Sequence, residues 1–104
     1  MSQPRKMLVI YLDETDKYRS VPAYEAVVRK LLQLEIAGAT VLAGIMGFGS
    51  HHQMHRKHLL GVPDDRPVVI TAIDEEEKLR NAVPQIRPMI PEALMIFMEI
   101  EVME

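Results

Sequence analysis

The sequence has no cysteine and no tryptophan, and its aromatics amount to three tyrosines and two phenylalanines. Without cysteine there are no disulfides, no thiolate metal sites and no thiol nucleophiles, which fits a reducing compartment. No apolar run approaches the roughly 20 residues that a membrane-spanning helix needs. A basic excess is missing too: twelve Lys and Arg stand against fifteen Asp and Glu, for a formal charge of −3. That excludes the general electrostatic footprint of a nucleic-acid binder. The 104 residues suffice for one domain, which at this size buries roughly two-thirds of its unfolded surface and folds without staples. Met-Ser-Gln-Pro-Arg-Lys leads straight into a short strand, so no signal peptide is expected and the expected location is the cytoplasm.

Glycine is also scarce, which makes its distribution informative. Three of the five glycines, Gly44, Gly47 and Gly49, fall at the end of one apolar stretch. All four histidines follow, at 51, 52, 55 and 58, with Arg56 and Lys57 between them. Backbone-exposing residues thus meet titratable and cationic ones at one strand end, and any site is expected there.

The periodicities give an order of elements. Lys6–Asp13 reads as a strand with Met7, Val9 and Tyr11 on one face and Leu8, Ile10 and Leu12 on the other. After a polar loop, Ser20 is the expected N-cap of a helix with Pro22 in its first turn. Tyr24, Val27, Val28, Leu31 and Leu34 follow helical spacing, and Gly38 is the expected left-handed stop. A second strand runs from about Ala39 to Met46 or Gly47. Gly61-Val-Pro-Asp-Asp-Arg-Pro is turn chemistry, and Val68–Ile73 is a third strand. Asp74 and Glu77 suggest a capping box for a second helix carrying Leu79, Ala82, Val83, Ile86 and Ile90. Pro84 and Pro88 should kink or shorten it, and Pro91 should close it. Leu94–Val102 reads as the last strand. The order is β-α-β-β-α-β, the ferredoxin-like α+β arrangement: a four-stranded antiparallel sheet with two helices on one face.

Two helices cover only one face of such a sheet, yet the first three strands are apolar on both, as in Leu8/Val9, Val41/Leu42 and Val69/Ile70. A sheet half in water normally alternates apolar and polar residues. The second face therefore predicts an obligate oligomer packed through its sheets.

The sequence resembles an uncharacterised PII-like domain-of-unknown-function family, relatives of the nitrogen-regulatory PII proteins. The carrying residues are Gly38-Ala-Thr-Val-Leu-Ala-Gly-Ile-Met-Gly-Phe-Gly, His51, His55, Leu59-Leu60, Asp65-Arg-Pro-Val-Val-Ile and Ile73-Asp-Glu-Glu-Glu-Lys, with Tyr18-Arg and Pro22-Ala-Tyr-Glu-Ala-Val. The resemblance implies a ferredoxin-like homotrimer with sheets inward and helices outward. In PII proteins a long loop between the second and third strands engages partner proteins, and a ligand, often an adenine nucleotide, binds between subunits near its base. The corresponding segment here is 47–66. The family's genes often lie beside fluoride-exporting channels, which implies a membrane transporter or channel as partner. PII proteins also use basic residues after the second helix and near the C-terminus for phosphates. Here only Arg87 follows the helix, without a glycine-rich turn, and Glu99-Ile-Glu-Val-Met-Glu is acidic.

The expected ligand-binding set is Gly44, Gly47, Phe48, Gly49, His51, Arg56 and Arg87. Gly47 and Gly49 would turn backbone N–H groups toward an anion, or else merely permit a tight bend or a close backbone approach at a trimer contact. Arg56, Lys57, Arg66 and Arg87 are candidates to pair with it. On a helix, His51, His55 and His58 would share a face with His52 nearby, and imidazole ligates zinc, copper or nickel. Asp13, Glu14 and Asp16 read as a surface turn rather than an acid/base pair. The eight methionines read as soft core and interface filling. No nucleophile–base pair is visible. The expected function is therefore non-enzymatic signalling or regulation: a small anionic ligand, such as an adenine nucleotide, at intersubunit clefts, relayed through 47–66 to a partner protein. The alternative is a histidine-based divalent metal-binding trimer for sensing or buffering.

Overall fold

A computed structural model describes residues 4–48 and 66–103. Strand β1 (Arg5–Asp13) leads through a two-residue ribbon, β2 (Lys17–Tyr18) and β3 (Val21–Pro22), into helix α1 (Ala23–Gln33). Strand β4 (Gly38–Ala43), β5 (Pro67–Glu75), helix α2 (Glu76–Ile86), a 3₁₀ turn (Arg87–Met89) and β6 (Leu94–Glu99) follow. The main sheet has the order β4-β5-β1-β6, every neighbour antiparallel. This is the expected ferredoxin-like arrangement, with the ribbon added.

Alternation assigns the faces. Leu8, Ile10 and Leu12 of β1 and Val68, Ile70 and Ala72 of β5 meet Val27 and Leu31 of α1 and Leu79, Ala82 and Ile86 of α2 in one core. Each large side chain so buried contributes about 1.5–3 kcal/mol relative to exposure. Pro84 lies inside α2, and the shortened helix gives way to the 3₁₀ turn holding Pro88. Ile90 still reaches the core, from beyond the helix end.

Several local expectations are corrected. Ser20 is not an N-cap: Arg19 and Ser20 take φ of 52° and 71° at the ribbon tip, the pair of positive angles that closes a two-residue hairpin. Pro22 occupies the cap position instead. Gly38 is not the helix stop. Glu35 takes the left-handed conformation at φ 61°. Glu35 N–H donates to Leu32 C=O (3.0 Å) and Ile36 N–H to Leu31 C=O (3.1 Å), a Schellman closure sealed by apolar Ile36 and Leu31. Gly38 begins β4.

Asp74 forms no capping box, because alternation in β5 turns it toward the helices, where it is 5% exposed. Its carboxylate accepts the Glu75 N–H (2.6 Å) and the Ala37 N–H (2.9 Å) and pairs with Lys78 (3.1 Å). Lys78 also donates to Glu35 C=O (2.7 Å), so one acid and one base hold the α1–β4 corner against α2. β6 ends at Glu99 rather than Val102, where its pairing with Lys6 of β1 stops.

The second sheet face carries Met7, Val9 and Tyr11 of β1, Val69 and Ile73 of β5, Leu42 of β4, and Leu94, Ile96 and Met98 of β6. Leu42 is 57% and Leu94 60% exposed, while Val9 at the centre is shielded by its neighbours to 4%. The pairs Leu8/Val9, Val41/Leu42 and Val69/Ile70 each split across the sheet as the sequence indicates. Phe97 lies on the helix side, against the core and beneath the Arg80 guanidinium (4.6 Å to the ring centroid).

Candidate ligand cavity at the base of the 47–66 segment

The β4–β5 ladder ends where Gly44 N–H donates to Pro67 C=O at 2.7 Å. The chains approach so closely that a Cβ on Gly44 would lie 2.8 Å from Pro67 Cγ, and one on Gly47 3.3 Å from the same atom. Neither glycine has a left-handed φ. Gly47 thus packs against the Pro67 ring of the returning limb.

Beside this neck is a cleft of about 940 Å³. Its floor is the end of β1, Tyr11 to Asp13, together with Pro67. The turn from Met89 to Leu94 forms a second wall, and Phe48, 66% exposed, stands at its edge. Asp16, Lys17 and Glu92 add polar groups, Lys17 being the cation among the described lining residues.

Arg66 enters from the neck. Its Nε donates to Glu14 Oε2 (2.6 Å) and its Nη2 to Glu14 Oε1 (3.0 Å), the fork geometry of a bidentate pair. Those hydrogen bonds hold the Glu14 carboxyl below its usual range and raise Arg66 further.

Arg87 shapes the opposite wall. Its Nη1 donates to the carbonyls of Ala93 (2.8 Å), Ile90 (3.2 Å) and Pro91 (3.3 Å). One guanidinium nitrogen thus fixes the turn that lines the cleft.

Of the expected ligand residues, Phe48 lines the cleft; Gly44 and Gly47 shape the neck and Arg87 braces the wall without lining it. Gly49, His51 and Arg56, and the alternative metal set His51, His52, His55 and His58, lie outside the described residues. Among the described residues no cluster of three or more His, Cys, Asp or Glu is placed to hold a metal, and no helix is long and apolar enough to cross a membrane. Tyr11, Asp13, Asp16, Lys17 and the Met89–Leu94 turn were not singled out from the sequence as ligand residues. The available signal was the polar turn directly following an apolar strand, with prolines closing the second helix.

The architecture is that of the PII-like ferredoxin fold, and the chain belongs to the DUF190 family (Uncharacterized ACR, COG1993), whose model matches residues 5–102. It is 32% identical over 85 residues to a UPF0166 protein of Methanocaldococcus jannaschii, covering 82% of this chain and 78% of that one. Among solved structures it is similar to CPII, a nitrogen regulatory PII-like protein from Thiomonas intermedia K12 bound to ADP, AMP and bicarbonate. That likeness has a TM-score of 0.70 at 26% identity, over 95% of this chain and 88% of that one. The divalent ion tolerance protein CutA1 from Ehrlichia chaffeensis shares the fold, with a TM-score of 0.66 at 13% identity, over 100% and 88% of the two chains.

Proposed function

We propose that this is a non-enzymatic PII-like regulatory protein. It binds a small anionic ligand in the cleft beside Pro67 and relays that state through the 47–66 segment to a partner protein. The observation that carries this reading is the cleft's position: its floor includes Pro67, which is bonded to Gly44 at the neck of that segment. Occupancy of the cleft therefore bears directly on both limbs. The likeness to CPII, which is bound to ADP, AMP and bicarbonate, supports a nucleotide or a small anion as the ligand class. Lys17 would meet its charge, with Arg56 and Lys57 as further candidates.

Asp13, Asp16 and Glu92 also line the cleft, and their charge sets a limit on the ligand's. A monophosphate suits these surroundings better than a triphosphate, since each added negative charge meets carboxylates at short range. The apolar second sheet face supports an oligomer, which the PII-like resemblance makes a homotrimer, with a neighbouring copy completing the cleft. A membrane transporter or channel is the proposed partner of the 47–66 segment.

Calorimetric titration with AMP, ADP, ATP and bicarbonate tests the reading. AMP or ADP should bind more tightly than ATP, and Lys17→Ala should weaken the anion by about 1.5–3 kcal/mol, the range for a charged hydrogen bond. Tightest binding by ATP, or no effect of Lys17→Ala on any anion that binds, would count against it.

A further inference from the structure

The turn after β1 is tied to two other parts of the molecule, the start of α1 and the neck. Within it, Asp13 N–H donates to Asp16 Oδ2 (3.0 Å) and Asp16 N–H to Asp13 C=O (3.1 Å). Asp16 C=O accepts the N–H of Ala23, the first residue of α1, at 2.7 Å. Glu14 N–H donates to Arg66 C=O at 2.9 Å, alongside the bidentate side-chain pair between the same two residues. Pro67, next in the chain, accepts Gly44 N–H, and its ring fills the space beside Gly44.

From this we infer that the Glu14–Arg66 pair is a positioning latch. It makes the neck of the 47–66 segment, the floor of the cleft and the start of α1 move as one body. Asp13 and Asp16 line the cleft and Glu14 lies between them, so a displacement of the turn pulls on Arg66, then Pro67, then Gly44. Three hydrogen bonds between one pair of residues resist rotation in a way that a single contact does not. The latch's part in signalling rests on the cleft being the ligand site, but the latch itself is read without ligand. Failure of either idea is therefore distinguishable from failure of the other.

The test is amide hydrogen exchange by NMR on the full chain, comparing wild type with Glu14→Gln, Arg66→Gln and the double variant. Each single change should speed exchange at both Gly44 and Ala23 by about tenfold, leave Ile10 and Ile70 unchanged, and have no added effect in the double variant. Raising salt from about 0.05 to 0.5 M should loosen Gly44 and Ala23 in the wild type but not in the double variant, because it screens the pair. This salt arm reads the latch even where a substitution disturbs folding. Changes confined to residue 14, additive effects in the double variant, or salt-independent exchange in the wild type would overturn the latch.

Discussion

Gly44 has no room for a side chain. An alanine there would place Cβ 2.8 Å from the Pro67 ring, and the ring cannot swing aside as the end of a long side chain would. Gly44→Ala should cost about 1–3 kcal/mol by overpacking, read by urea denaturation. Gly47→Ala, at 3.3 Å, should cost less. The sequence shows that these glycines mark a special place. It does not show which residue crowds them, because Pro67 arrives from the far end of the intervening segment. Asp74 gives a second test. Burial pushes its carboxyl upward, but the Glu75 N–H, Lys78 and the Ala37 N–H together outweigh this and hold it below its usual value. A folded value below the unfolded one means the stabilisation is complete above the ordinary carboxylate pKa of about 3.9. It is lost as pH falls through the lower folded value. Asp74→Ala should cost about 1–3 kcal/mol at neutral pH by leaving the Ala37 N–H unpaired, and Asp74→Asn should flatten the acid limb of stability against pH.

Among the elements, the strands and helices were legible because their apolar periods are strong. Their ends were less so, since end geometry depends on partners distant in sequence. Glu35 rather than Gly38 closes α1 because Lys78 of α2 and Asp74 of β5 hold that corner. The Met89–Leu94 turn was legible as a break, from its prolines, but its bracing by Arg87 was not. That bracing changes the meaning of an Arg87 substitution. Arg87→Ala should destabilise the fold by about 1.5–3 kcal/mol and loosen the cleft wall, so weakened ligand binding by that variant would not by itself show contact with an anion. Arg87→Lys should restore part of the stability, because all three bonds come from one nitrogen and an ammonium also carries three donors. Denaturation of both variants without ligand checks this.

For the whole molecule, the clearest sequence signal was the apolarity of both sheet faces, and the structure accounts for only one of them with helices. Substitutions at the open face separate assembly from folding when they fall on exposed positions. Leu42→Lys and Met98→Lys should leave the circular dichroism of the chain unchanged but, if the proposed homotrimer packs through this face, shift sedimentation toward smaller species, since a buried unpaired charge is costly. Val9 is a poorer probe because it is nearly buried within one chain, and Phe97 reports on the core instead. The cleft was only partly legible, because β1, the neck and the Met89–Leu94 turn meet there only after the sheet has formed. The most direct measurement is an NMR titration of the labelled protein with AMP, ADP and ATP. The expected result is saturable shifts at Asp16, Lys17, Phe48 and Leu94 that spread to Gly44 and Arg66, at lower concentrations of AMP or ADP than of ATP. Saturable shifts that map away from these residues, or no response to any of the three, would contradict a nucleotide site in this cleft.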